Sequence, residues 1–506
     1  MSKKVAVYWP GDARQKPNEL ALPNVEAATV QLERALKKVG RAPYRVEGFL
    51  SKPHEAIDKL GPVDDPIVGV FAHWVYAPHT TEGVVGKDNP LLLASNFSGQ
   101  WPGLVGLLNT GASLESLNRK HSRIWTSAED WTTDAVFMAR LDEWCSSGAI
   151  RYEERGIRYH APVSADAAAA ASRVAARLRK RRPLVLMLGD TSMGMINGYF
   201  GPRLLAPYGF SEHKIDQAWI IDRGRRIADK RIDDAFAFVR DRGLQFHWGE
   251  NGASDFTEQA SREQLRDYLV VLDMVGEFGA DCIGWQYQLG LIPLRAPSDL
   301  AEGLFNSTCR PESNGDTIAC ATEADQGNAL PMEMLKRLLK EKGLHQAVMF
   351  HDVRWGGEHD GRFLWVLLNS GSCGAYAFNH DPNTLKGAHS YRQPSLYFPT
   401  PGGSLAGESL PGQMTWARAY VKNDVLWMDI GQGEVVKLPP EKRDAWWQGT
   451  TREWPFMAAD MGVDRDTLMA HYQSNHVAVA YGDVFGEMVA LSLELGFRVR
   501  ILGKEQ

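Results

Sequence analysis

Glu323, in the run ATEADQGN, stands at the end of an apolar strand-like stretch and just ahead of a helical pattern. Asp352, in AVMFHDVRW, repeats the arrangement, with His351 and Arg354 close by. Open α/β sheets present ligand groups at such strand ends, and carboxylates placed there can move protons or bind cations. The same positions suit helix caps and loop ion pairs, so either acid taken singly leaves the choice open. His476, in SNHVAVAYGD, enters another apolar run. A lone histidine of this kind is more often a hydrogen-bonded core or edge residue than a ligand, and its distance along the chain from both acids carries no spacing argument.

A further segment, GDTSMGM from Gly189 to Met195, follows a strand and precedes a helix. A helix N-terminus there could hold an anion. Neither the G-x-G-x-x-G nor the G-x-x-x-x-G-K-S/T fingerprint is present, and a glycine turn accounts for the residues more simply. The 16 tryptophans offer flat platforms for sugar rings, although most belong in the core. Trp74 in FAHWVYAPH, Trp355 beside Asp352 and Trp454 in REWPF stand out. Arg14, Arg392 and Arg418, each taken alone, read as solvated charge.

The elements that must position these residues alternate at first. KVAVYWP, YRVEGFL, PIVGVFAHW and PLLLAS are short apolar runs of the kind found in buried parallel strands. NVEAATVQLERALKKVG and AEDWTTDAVFMARLDEWCSSG are helical between them. The alanine-rich DAAAAASRVAARLRKRR reads as a crossover helix near a domain boundary, its basic end suiting the helix dipole. A second alternating unit starts at Pro183, and from about Leu344 strands separated by turns dominate. The stretch YRQPSLYFPTPGGSLAGESLPGQ is a long loop, which in a compact domain is usually functional or mobile. The pattern predicts an α/β protein: two Rossmann-like or flavodoxin-like α/β domains, 1–165 and 166–345, then a β-rich C-terminal domain, 346–506. The second carries Glu323 and Gln286, and the third carries Asp352 and His476.

Composition bounds the function. A length of 506 residues suggests several domains, and 23% charged residues is ordinary for a soluble globular protein. A net charge of −6 argues against the broad basic face that nucleic acid or an anionic membrane needs. No run reaches the length of a membrane span, and the N-terminus lacks a secretory pattern. The five cysteines, widely spaced and without a C-x-x-C pair, fit reduced thiols in a cytoplasmic protein.

The run GLFNSTCRPESNGDTIACATEADQGNALPMEML, followed by AVMFHDVRW and LWVLLNSGS, resembles the L-fucose isomerase family in order and spacing. There an LNSS-type helix end, an ATEND-type turn, an F-A-D-V-R strand end and an I-N-S-G-S strand follow one another. The similarity extends to LMLGDTSMGM, GWQYQ, REWPF and LMAHYQSNHVAVAYGDV, and near the start to HWVY and NFSGQWPG. The resemblance implies a metal site of Glu323, Asp352 and His476 and an active-site glutamine at Gln286. It implies that Trp74 reaches the site of a neighbouring subunit, and that Asn475, Trp454, Tyr397 and Arg14 contact substrate. It also implies a homo-oligomer, a hexamer. This chain departs from the pattern in FHDVR, VYWP and QPSLYFP, all where the sugar is gripped, so the sugar need not be L-fucose. An anionic substituent near Arg14 or Arg392 is one such alternative.

The expected activity is therefore aldose–ketose isomerisation of a monosaccharide through a cis-enediolate, with Glu323 and Asp352 as the acid/base pair. Two carboxylates and an imidazole suit Mn2+, or else Co2+ or Mg2+, more than a thiolate-preferring metal. Two other readings stay open: a non-catalytic sugar-binding or regulatory protein, and a glycoside hydrolase using the same two carboxylates. An NAD-linked oxidoreductase is disfavoured by the missing dinucleotide fingerprint.

Overall fold

Apolar runs without a polar side must be covered on both faces, and a parallel sheet flanked by helices does this. The computed structural model describes residues 2–97, 99, 101–250 and 255–503, and two such sheets lie within them. The first orders its strands Ala42–Leu50, Lys4–Pro10, Ile67–Phe71, Leu91–Asn96 and Ser122–Thr126, all parallel. The second runs Ala319–Thr322, Cys282–Trp285, Leu184–Leu188 and Ser211–Ile215, again all parallel. In both, the winding reverses beside the earliest strand. The reversal opens a crevice at the carboxyl ends of Lys4–Pro10 and Ile67–Phe71 in one sheet, and of Leu184–Leu188 and Cys282–Trp285 in the other.

The C-terminal region is β-rich and its sheet is mixed. Strands Gly412–Lys422, His476–Tyr481, Val348–His359, Arg362–Leu368, Phe456–Asp460 and Val425–Val435 pair in that order, all antiparallel. The last pairs back onto the first over its full length, which closes a ring. Closure removes the free edges that an open sheet must otherwise protect. Two tight turns help to set the register. Asp360 and Gly361, and then Asn423 and Asp424, all have positive φ, as a two-residue turn of the right twist demands. Arg498–Leu502 adds in parallel to Val425–Val435, and Ile157–Arg158 pairs with it. A residue pair from well before the expected 165/166 boundary thus belongs to the third sheet.

The helices follow their local chemistry. Helix Glu258–Phe278 starts at Thr257, whose side chain accepts from the Ala260 amide, and stops at Gly279 in a left-handed conformation. Its buried stripe includes Leu265, Leu269, Val271 and Met274, each worth roughly 2 kcal/mol of removed apolar surface. Helix Gln15–Lys38 begins nine residues before the sequence pattern suggests and runs through Pro23. All five cysteines are buried and unpaired. No helix among the described residues is long and apolar enough to cross a membrane.

Candidate active site

Strand Ala319–Thr322 ends on Glu323 and Ala324, both left-handed at φ 60° and 53°, before helix Gln326–Glu341 begins. Two such residues in a row cost on the order of 1 kcal/mol each and persist only where the surroundings fix them. Here the Ser192 amide donates to the Glu323 carbonyl at 3.1 Å, and Gln288 Nε2 donates to Glu323 Oε1 at 2.7 Å. Oε2 is buried without a partner.

Asp352 and His476 sit opposite each other in register on neighbouring strands, so their side chains leave the same face of the sheet. His476 Nε2 lies 3.2 Å from Asp352 Oδ1 and 3.7 Å from Glu323 Oε2. Asn475 and Asn369 each donate to Asp352 at 3.2 Å, one to each oxygen. His476 Nδ1 meets Asp325 Oδ2 at 2.6 Å, and Asp325 is in turn paired with Arg418, both at zero exposure. The Tyr472 hydroxyl holds the His476 carbonyl at 2.7 Å. Burial pushes the Glu323 carboxyl up to about 7, with His476 opposing and Asp352 adding to the rise. Burial disfavours the His476 imidazolium, but Asp352 and Asp325 outweigh it and raise the group to about 9. Burial opposes Asp325 ionising as well, yet Arg418 and His476 hold its carboxyl below the ordinary range.

Among the described residues no three His, Cys, Asp or Glu side chains form a ready-made metal cage. The donor chemistry nevertheless fits a divalent cation. Ligands about 2.1 Å from one ion lie roughly 3 to 3.5 Å from each other, close to the two separations at His476 Nε2. The carboxylate on Nδ1 fixes the ring so that Nε2 points inward, as metal-binding histidines are commonly held. Nε2 and Glu323 Oε2 are both buried and without a hydrogen-bond partner, a state that needs a cation, water or ligand to be stable.

The first sheet's crevice reaches the same place. Asp12, fully buried, takes Arg14 in a two-point pair at 2.9 and 2.6 Å, and Arg14 Nη1 donates to the Tyr397 carbonyl at 3.0 Å. The Trp74 ring meets Tyr397 at 5.2 Å, and Tyr397 lies 6.3 Å from Trp454. Trp454 Nε1 donates to Gln393 at 2.7 Å, and the Arg354 guanidinium stands 5.4 Å over its ring. Trp74 Nε1 and the hydroxyls of Tyr76, Tyr397 and Ser192 are buried without partners, as is Gln288 Oε1. An open groove of about 570 Å³, lined by Arg140, Phe363 and Arg465 among others, contains none of these residues.

Several sequence expectations meet a different placement. Gln286 does not reach Glu323: its carbonyl and side chain are held by Gln217, and Gln288, two residues on, takes the position. Both glutamines lie beyond the end of strand Cys282–Trp285, in the turn that follows it. The three arginines read as solvated charge are all ion-paired, Arg14 with Asp12, Arg392 with Asp255 and Arg418 with Asp325. Arg14 and Arg392 thus already carry carboxylate partners where an anionic sugar substituent would bind. Of the long loop, Gln393, Tyr397 and Phe398 are buried.

Asp325, Gln288, Ser192, Asn369 and Tyr76 were not legible as site residues. Asp325 occupies a helix N-cap position, where an acid needs no other explanation, yet its side chain makes no capping bond. The GDTSMGM segment leads into a helix of only five residues, Gly201–Leu205. It serves as a strap instead: Ser192 touches Glu323, the Met193 carbonyl accepts from Ala77 and Asn109, and Asn197 donates to the Gln473 carbonyl at 2.6 Å.

A comparison with curated proteins finds no match for the chain. Residues 367–502 match the family model of the L-fucose isomerase C-terminal domain, a span that includes Asn369, Tyr397, Arg418, Trp454, Asn475 and His476. That match supports the resemblance to the L-fucose isomerase family carried by the ordered motifs.

Proposed function

We propose that this protein is a metal-dependent aldose–ketose isomerase, an intramolecular oxidoreductase acting on a monosaccharide. The observation that carries the reading is the meeting of Glu323 and Asp352 on one imidazole nitrogen whose ring is fixed from behind by Asp325. Two carboxylates sharing one centre suit ligands of a single ion better than a hydrolase pair set across a glycosidic bond. A bound Mn2+, or Co2+ or Mg2+ in its place, would supply Lewis-acid stabilisation of the negative charge that develops when the carbonyl moves.

The remaining work falls to the chain. Moving the carbonyl from C1 to C2 takes a proton from C2 and returns one to C1, while the O2 hydroxyl proton passes to O1. Glu323 and Asp352 are the carboxylate pair that would accept and release the C2 proton. Gln288 orients the first and the two asparagines orient the second. Trp74, Tyr397 and Trp454 supply an aromatic wall that excludes water, and the partnerless hydroxyls and amide are suited to a polyhydroxylated substrate. Two flavodoxin-like domains and a β-rich third, a cytoplasmic location and a homo-oligomer, a hexamer on the family resemblance, belong to the same proposal.

The test strips the purified protein with chelator, restores Mn2+ and screens neutral, deoxy and acidic aldoses for ketose. Metal-dependent conversion of at least one aldose is expected, with Glu323→Gln reducing it by 10²-fold or more on the order typical of acid–base groups. No ketose from any aldose, or full activity in Glu323→Gln, defeats the reading.

A further inference from the structure

Helix Arg465–His471 packs against strand Ser122–Thr126 of the first sheet. Its first residues are tied there by charge, Arg465 to Asp134 at 2.6 Å and Asp466 to Arg140. Its last carbonyls are held by two guanidiniums. Arg500 donates to the His471 carbonyl at 2.8 Å, and a two-point pair with Asp429 at 2.9 and 2.7 Å neutralises it. Arg123 donates to the carbonyls of Met469 at 2.6 Å and Tyr472 at 2.7 Å. It is only 2% exposed, and among the described residues no carboxylate pairs with it; Glu115, whose charge acts on it, is taken by Lys422. The end of a helix favours a cation, but burying a guanidinium without a counter-charge opposes folding. The fold nevertheless leaves room for it: a Cβ at Gly111 would stand 2.7 Å from Arg123 Cδ.

What Arg123 grips leads directly to the candidate site. The Tyr472 hydroxyl donates to the His476 carbonyl at 2.7 Å, Asn197 donates to the Gln473 carbonyl at 2.6 Å, and the His476 amide donates to Ser474 Oγ at 2.8 Å. The turn from Tyr472 to His476 is thus fastened along its length, and its last two side chains are the ones that meet Asp352. Of these anchors, Arg123 alone comes from the first sheet.

We propose that Arg123 is a positioning residue for His476, an inference that rests on the metal-dependent reading above. By gripping the Met469 and Tyr472 carbonyls, Arg123 sets the turn that delivers the imidazole to Asp352 and Glu323. The affinity of the centre for a divalent cation therefore depends on a first-sheet residue that bonds to none of the candidate ligands.

Two measurements on the full chain test this. Mn2+ affinity is read from the electron paramagnetic resonance signal of the free ion, and amide hydrogen exchange of residues 472–477 is read by mass spectrometry without added metal. Arg123→Ala weakens Mn2+ binding by about tenfold or more, as losing the support behind a ligand does. It also speeds exchange in the turn by about tenfold, as losing a hydrogen bond to a charged group does. Guanidinium ion below denaturing concentration restores both in Arg123→Ala and leaves the unmutated protein unchanged. Gly111→Ala, which pushes Arg123 aside and keeps its charge, moves both in the same direction as Arg123→Ala. Arg465→Met breaks a bridge across the same contact without touching the turn's carbonyls, and changes neither by more than about twofold. Unchanged affinity or unchanged exchange in Arg123→Ala overturns the proposal. An equal loss in Arg465→Met overturns it too, since Arg123 would then serve docking alone. Mn2+ that fails to bind the unmutated protein sinks the metal reading, while exchange of the turn still decides whether Arg123 holds it.

Discussion

At the scale of single residues, the chemistry depends on what stands behind the three visible groups. Asp325 fixes the His476 ring and neutralises Arg418 at zero exposure. Removing a carboxylate that orients a ligand histidine typically costs 10- to 100-fold in metal affinity, and an uncompensated buried guanidinium costs about 3–5 kcal/mol. Asp325→Asn is therefore expected to weaken Mn2+ binding by about that factor in a titration and to lower the melting temperature. Adding Arg418→Met recovers the melting temperature and leaves the affinity low; equal recovery of both would show that Asp325 acts only through stability. A second residue makes a pH prediction. His73 is fully buried, with Nε2 on Asn18 at 3.0 Å, and burial lowers it to about 4. The folded state thus refuses a proton that the unfolded chain accepts below about 6.5. Its contribution, of order 3 kcal/mol, is complete above 6.5 and is lost as pH falls through the window down to 4. His73→Gln, which keeps the donor and cannot titrate, should flatten unfolding free energy against pH in that window; an unchanged slope refutes the assignment. Neither residue stood out in the sequence. Glu323, Asp352 and His476 did, but only through the order of the motifs around them, because nothing in one residue's identity records which distant strand it faces.

At the scale of elements, the parallel strands were legible because burial on both faces leaves an unbroken apolar run. The ring of the C-terminal region was not, because closure depends on pairing between Gly412–Lys422 and both His476–Tyr481 and Val425–Val435, which no local pattern encodes. Its tight turns, by contrast, carry local signals in Asp360-Gly361 and Asn423-Asp424. The early start of helix Gln15–Lys38 shows burial overriding a local stop signal, since Pro17, Asn18 and Ala21 lie buried ahead of and around Pro23. The strap after Leu184–Leu188 shows how an element without regular structure can be indispensable. A Cβ at Gly198 would stand 2.4 Å from Asp325 Oδ1 and 2.9 Å from Arg418. Neither neighbour can retreat, as both are buried in their ion pair. Gly198→Ala is expected to displace Asp325, lowering metal affinity and stability together, with a cost of about 1–3 kcal/mol for overpacking. Denaturant unfolding and Mn2+ titration of the same variant check this, and a neutral result in both would mean the strap yields.

At the scale of the whole molecule, the site is assembled from three sheets, and no one of them holds it. Glu323 comes from the end of the second parallel sheet, Asp352 and His476 from the closing ring, and Arg14 and Trp74 from the crevice of the first. Glu323 Oε2 and His476 Nε2 are buried there without a hydrogen-bond partner, and a bound cation would satisfy both. A cation bound between Glu323 and the Asp352–His476 strand pair would also cross-link two sheets, and binding to the folded state alone raises its stability by mass action. At a free metal concentration 100 times the dissociation constant the gain is about 2.7 kcal/mol. Mn2+ should therefore raise the thermal midpoint in a concentration-dependent way, and chelator should reverse the shift. Glu323→Gln and His476→Ala should abolish it, whereas His359→Ala, on the same strand as Asp352 but beyond the site, should not. A midpoint indifferent to Mn2+ in the unmutated protein, or a shift that survives loss of Glu323, would remove the metal from the centre where the sheets meet.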